Sequence, residues 1–407
     1  MSSKTYQYFI LAQSLLAISS PALAEGAFDG VNLQAGVGFE SLNSDWKTVG
    51  VYGGYSMDAG EHGAAGNLSL GYSHGFSNKF NIATSVFYQL GSERAGSIQP
   101  DDLALIKIKN LWGVSLEPGY YISDDTLAYL KLGYAQASSN LKIYGGGAES
   151  FGTSRGLLYG AGLKHSITKD FFIGVEAYQI DLGNAPGSVS NPSGFVNERH
   201  TNTPAVTYGG LSLGYNIGGT GSNQSAYSDV GTEHTFDGLN LQLGAGVAGI
   251  NNYYYNPWAL NTWKMGKEST LASASIGYSK AFGSRFNLAA NIFYDFGSRT
   301  TEIYSIKWVT KNIWGLSIEP GYYFSNDTLG YLKVGYAKSS TKAEGLVDFG
   351  NADGILYGLG IKKMMTDNVY VGAEAYQINF DKSVEASSSV ENKTSLMYGG
   401  VLIGYKF

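Results

Sequence analysis

The chain states nearly the same strand plan twice. Phe28-Asp29-Gly30-Val31-Asn32-Leu33-Gln34 returns as Phe236-Asp237-Gly238-Leu239-Asn240-Leu241-Gln242. Trp112-Gly113-Val114-Ser115-Leu116-Glu117-Pro118-Gly119-Tyr120-Tyr121 returns as Trp314-Gly315-Leu316-Ser317-Ile318-Glu319-Pro320-Gly321-Tyr322-Tyr323. Gly174-Val175-Glu176-Ala177-Tyr178-Gln179-Ile180 returns as Gly372-Ala373-Glu374-Ala375-Tyr376-Gln377-Ile378. The offset between copies falls from 208 residues (236 − 28) to 202 (314 − 112) and 198 (372 − 174). Matching segments are thus separated by stretches that change length, as strands are by loops. Each copy is domain-sized, which excludes a solenoid of short repeats.

Residues 1–24 read as a secretory signal: Lys4 supplies the positive region, Phe9 to Ile18 the apolar run, and Ala22-Leu23-Ala24 a small-residue cleavage site. The chain has no cysteine, so disulfides cannot stabilise an exported protein here. Beyond the signal, no stretch approaches the ~18 consecutive apolar residues of a membrane helix, so a membrane-crossing fold has to be a closed β-barrel. With 31 tyrosines and 56 glycines but only 8 prolines, composition favours strands and turns. The formal charge of −6 gives no reason to expect nucleic acid as a partner.

In the first copy, strands are expected near 30–40, 66–76, 79–91, 105–122, 127–138, 156–167, 171–182 and 205–217. Leu68, Leu70, Tyr72 and Phe76 share one face of the second, with Asn67, Ser69, Gly71 and Ser73 opposite. Tight turns are expected at Ser77-Asn78-Lys79, Ser123-Asp124-Asp125 and Thr168-Lys169-Asp170, and in the second copy at Gly283-Ser284-Arg285, Ser325-Asn326-Asp327 and Thr366-Asp367-Asn368. Long polar loops are expected near 41–64, 92–104, 139–155 and 183–204. Short turns at one end and long loops at the other suit a bacterial outer-membrane barrel.

Trp112 and Tyr120 share a face, as do Trp314 and Tyr322. In a strand tilted ~40°, that spacing covers roughly 20 Å along the membrane normal, close to the separation of two aromatic girdles. The last strand places Val401, Ile403, Tyr405 and the terminal Phe407 on one face. This ending resembles the C-terminal assembly signal of outer-membrane barrels. The mature chain resembles a tandem duplication of the eight-stranded porin-family barrels related to OmpA and the opacity proteins; the first copy departs by ending in Ile217. The resemblance implies the outer membrane of a Gram-negative bacterium, with its lipid and lipopolysaccharide as surroundings and the barrel-assembly machinery as a partner during insertion.

On the polar faces, Glu117 and Lys131 are equidistant from Asp124, and Lys164 and Glu176 from Asp170. Glu319 and Lys333 flank Asn326, and Lys362 and Glu374 flank Asn368. Antiparallel pairing then sets each Glu opposite a Lys on the inside. Such charges are either an ion-selective lining or gate, or a plug of salt bridges; their balance favours the plug. Tyr121, Tyr178 and Tyr208 would help to fill a narrow interior. Pro118 and Pro320 interrupt strands and call for a bulge.

Catalysis finds little support. None of the five histidines has a histidine counterpart in the other copy, and His74 and His165 read as basic tips snorkelling at the membrane interface. No cofactor or metal set is expected. The fold expected is all-β and transmembrane: sixteen strands as two eight-stranded barrels, 28–217 and 236–407, joined by a periplasmic linker at 218–235. One merged sixteen-stranded barrel is the alternative. The function expected is a structural barrel or small-solute channel; the alternative is surface recognition, in which the loops bind an extracellular ligand.

Overall fold

The computed structural model describes residues 26–50, 53–76, 79–91, 94–97, 104–143, 148–185, 189–190, 199–217, 235–385 and 388–407. The expected signal at 1–24 and nearly all of the expected linker lie outside these. The first copy contributes β1 (Gly30–Gly50), β2 (Gly53–Gly75), β3 (Phe80–Leu90), β4 (Arg94–Ser97) and β5 (Ala104–Ser123). It continues with β6 (Thr126–Ile143), β7 (Ala148–Ser166), β8 (Phe171–Leu182), β9 (Val189–Ser190) and β10 (Arg199–Ile217). The second supplies β11 (Gly238–Asn256), β12 (Asn261–Phe282), β13 (Phe286–Ile303), β14 (Ile306–Ser325) and β15 (Thr328–Ala343). It ends with β16 (Val347–Met364), β17 (Val369–Phe380), β18 (Ser383–Val384) and β19 (Glu391–Lys406).

The nineteen strands among the described residues belong to one hydrogen-bonded sheet. Every ladder is antiparallel, as short connections between consecutive strands demand. β1 pairs with β2 on one side and β10 on the other, and β11 likewise with β12 and β19. Each copy's last long strand therefore lies beside its own first. The copies touch directly at the loop end, where Ala59 pairs with Met265, Met57 with Ile303 and Ser97 with Lys264.

Three expectations are corrected. First, much of the sequence expected as polar loop is strand: β1 and β2 run through most of 41–64, and β6 and β7 shorten the 139–155 connection to a few residues. Polarity misled here because these extensions stack above the apolar band and bury a shared core around Leu42, Trp46, Met57, Trp308 and Phe349. Second, Pro118 and Pro320 cause no bulge. The β5–β6 ladder keeps its register from Leu116↔Leu132 to Gly119↔Tyr129, with no pairing at Pro118, which has no N–H to give. Both ladders shift on the loop side at Asn110 (φ 53°) and Asn312 (φ 56°), and again beside the short turns, between Tyr121 and Ser123 and between Tyr323 and Ser325. Third, His165 does not snorkel. It is fully buried, its ring 6.0 Å from that of Phe324 in the other copy.

The faces alternate over much of the sheet, whereas runs in β8, β10, β17 and β19 are buried on both faces. Trp112, Tyr120, Trp314 and Tyr322 are 37–44% exposed, and Val401, Ile403, Tyr405 and Phe407 also face outward. Leu33, Val37, Leu70, Val86, Leu132 and Leu241 continue that surface. A band of this kind is far larger than a water-soluble monomer tolerates. No helix among the described residues is long and apolar enough to cross a membrane, so any crossing is made by strands.

Candidate functional site

The inward face of each copy carries two glutamates, two lysines and a tyrosine, with each charged side chain at most 7% exposed. In the first copy, Lys131 Nζ donates to Glu176 Oε2 at 2.8 Å and lies 3.6 Å from Glu117 Oε1. Lys164 Nζ donates to Glu117 Oε2 at 3.1 Å. Tyr129 donates its hydroxyl to Glu176 at 2.8 Å, while Ser85 and Ser115 donate to Glu117 at 2.9 and 3.0 Å. The second copy repeats this: Lys333 to Glu374 at 2.9 Å, Lys362 to Glu319 at 2.8 Å, and Tyr331 to Glu374 at 2.9 Å. Lys164 and Lys362 each lie 4.3 Å from the ring centre of Tyr129 and Tyr331 respectively.

The expected partners are partly exchanged. The flanking register places Glu117 opposite Lys131, as expected, because Leu116 faces Leu132. Lys164, however, faces Gly174, and Glu176 faces Gly162. The cause is the turn. Thr168 Oγ1 accepts from the amides of Asp170 and Phe171, which centres the hairpin on Lys169 rather than Asp170. A one-residue change of centre moves the pairing by two, so both charges stay inward but meet different partners. Thr366 repeats the turn, with Lys362 facing Gly372 and Glu374 facing Gly360. Each lysine then reaches a glutamate on a strand that is not its neighbour: Lys131 on β6 to Glu176 on β8, and Lys164 on β7 to Glu117 on β5.

Tyr121, Tyr178 and Tyr208 are buried, and the last two stack at 4.9 Å. Two features went unread in the sequence. Tyr129 and Tyr331 complete the charge networks; their inward parity, shared with Lys131 and Lys333, was the available signal. Phe28 and Phe236 close the short-turn ends: Phe28 packs on Tyr121 and Phe172, and Phe236 on Tyr323 and Tyr370. Gly30 (φ 104°) and Gly238 (φ 124°) then turn the chain from this plug into the first strand, a conformation that suits glycine. The repeated Phe-Asp-Gly motif therefore has a structural cause. Beside the charge networks lie cavities of ≈ 10 Å³ and ≈ 20 Å³, about the volume of a single water. Among the described residues, no group of acidic, histidine or cysteine side chains is placed to hold a metal.

A sheet apolar on its outer wall, charged on its inner face and antiparallel has the pattern of an outer-membrane β-barrel domain. Residues 10–198 match the family described as outer membrane protein beta-barrel domain, somewhat under half of the chain. The protein resides in the outer membrane of a Gram-negative bacterium. No curated protein matches it. Among solved structures it is similar to Ail, the attachment invasion locus protein of Yersinia pestis, at 17% identity and TM-score 0.30, covering 46% of this chain and 98% of that one. It is also similar to the Pseudomonas putida toluene transporter TodX (11%, TM-score 0.29, 93% and 89%) and to a Pseudomonas aeruginosa FadL homologue (14%, TM-score 0.29, 93% and 91%). Likenesses at this level define no function.

Proposed function

We propose that this protein is a non-conducting outer-membrane anchor, built as two eight-stranded barrels in tandem, that acts through what it presents at the loop end. The pairing of β1 with β10 and of β11 with β19 supports two closures rather than one. The observation that carries the functional reading is the filled interior. Glu117, Lys131, Lys164 and Glu176, with their counterparts Glu319, Lys333, Lys362 and Glu374, occupy the space a permeant solute would need. Eight strands leave an interior just wide enough for side chains, and neutral four-charge networks fill it without leaving an ion uncompensated. Outer-membrane lipid and lipopolysaccharide would surround it, and the barrel-assembly machinery would read Val401, Ile403, Tyr405 and Phe407.

Planar-bilayer recording of the full protein tests this. Negligible conductance is expected, and stable, large single-channel steps would overturn it.

Surface recognition is the second reading, and one observation favours it. At hairpin tips of the second copy, Trp258 is 78% exposed, Leu260 70% and Leu346 58%, at the end remote from the short turns. Exposed apolar groups at hairpin tips suit a binding surface. If removing residues 257–260 left every adhesion or binding phenotype intact, this reading would fall.

A further inference from the structure

The walls of the two copies meet, and the residues that meet are the same ones in each. Gly60 faces Asn43 in the β1–β2 ladder, and Gly266 faces Asn251 in the β11–β12 ladder, so the two glycines hold equivalent places. A Cβ on either would collide with the Cα of the other. Asn251 Nδ2 lies 3.5 Å from Asn43 Oδ1, again equivalents in contact. Nearer the short turns, a Cβ on Gly209 would lie 3.3 Å from the Cα of Gly399, and one on Gly399 would lie 3.2 Å from the Cα of Gly209. Gly209 pairs with Ala177 within its copy, and Gly399 with Ala375. The approaches cross in matching fashion: a Cβ on Gly209 would lie 3.0 Å from the Cβ of Ala375, and one on Gly399 would lie 2.5 Å from the Cβ of Ala177. Leu163 and Val175 share one buried cluster with their equivalents Ile361 and Ala373.

A residue can touch its own equivalent only near a two-fold axis, and three such pairs lie along this seam. We propose that the wall formed by β1, β2, β8 and β10, and again by β11, β12, β17 and β19, is a self-recognition surface whose partner is a second copy of the same barrel module. The chain is then a covalently tethered, isologous dimer. This rests on the reading of each copy as its own closed barrel. The chemistry suits lipid, where no hydrophobic drive brings walls together and close packing of glycine and alanine does. Polar contacts hold the two ends of the seam. Lys267 Nζ lies 2.9 Å from Asp58 Oδ1 at the loop end, and the buried Lys363 reaches Asp125 across the seam at 3.2 Å and its own Asp327 at 2.7 Å.

The test places a protease site within 218–234 of the full chain, cleaves the folded protein and follows it in mild detergent. Cleaved wild type is expected to remain one particle. Cleaved Gly399→Leu is expected to separate into two halves, each still migrating heat-modifiably on a denaturing gel. Separation of cleaved wild type into two heat-modifiable halves would overturn the dimer and leave the two-barrel reading standing, as would persistence of the Gly399→Leu particle. Loss of heat-modifiable migration by the cleaved halves would overturn the two-barrel reading and the proposal with it. If Gly399→Leu fails to fold, Asn43→Cys with Asn251→Cys reports instead, since the native chain has no cysteine. Oxidation that links the cleaved halves on a denaturing gel supports the seam; two unlinked halves would overturn it.

Discussion

The two ends of each interior follow different rules. Toward the short turns, both copies carry the same four charges, the same tyrosine and the same aromatic plug. Toward the loops they differ. In the first copy, Glu40 on β1 accepts from Gln89 at 2.7 Å, and Tyr178 links Gln89 to Asn67. In the second, Ala248 on β11 takes the place of Glu40, and the carboxylate has moved to Asp295, where Gln89 stands in the first copy. Asp295 accepts from Tyr376 at 3.0 and 3.1 Å. A buried Arg299 follows it on β13, beyond the left-handed Gly297 (φ 90°). The short-turn network is a closed set in which each ion has its counter-ion on another strand, so no single change leaves it neutral. The loop end holds fewer charges joined through amides and hydroxyls, and it can be rebuilt.

The largest effect is expected where the network is closed. Lys131→Met leaves Glu117 and Glu176 with one lysine between them and should cost about 3–5 kcal/mol of folding stability. Lys131→Met combined with Glu176→Gln should recover much of that, a coupling that a double-mutant cycle of urea unfolding would register. Equal losses in the single and double variants would mean that the pair is not coupled. At the loop end, Glu40→Ala should cost less, on the order of 1–3 kcal/mol, by depriving the Gln89 amide of its acceptor. Adding Gln89→Asp, which imports the second copy's carboxylate, should restore part of it; no restoration would show that Arg299 is indispensable to the second arrangement. Tyr376→Phe removes one hydrogen bond to a charged group and should cost about 1.5–3 kcal/mol. A cost as large as that of Lys131→Met would erase the distinction between the two ends.

The smallest effect concerns the turn after β5. The Asp125 carboxyl is held down to about 2: burial alone would raise it, and the neighbouring His165 and Lys363 more than offset that. A lowered carboxyl contributes stability above its ordinary value of 3.8 and loses it as the pH falls through about 2. The stability difference between wild type and Asp125→Asn should therefore be constant above about pH 4 and shrink below it. A difference unchanged down to pH 2 would remove Asp125 from the seam's electrostatics.

Parity was legible in the residues themselves. In an extended strand side chains alternate, so Trp112 and Tyr120 had to share a face and Glu117 and Lys131 the other, whatever the rest of the chain did. The doubled plan, the turns at Asp124 and Asn326 and the balance of inward charge followed from local pattern alone. Which lysine meets which glutamate did not. That depended on a threonine hydroxyl re-centring a turn by one residue, and on an interior narrow enough for Lys164 to reach Glu117 two strands away. The burial of His165 and the fate of the polar segment 41–64 were also decided only in three dimensions. Both depend on the second copy's wall lying against the first, and a contact between equivalent residues some 200 positions apart leaves no periodicity in the chain to read.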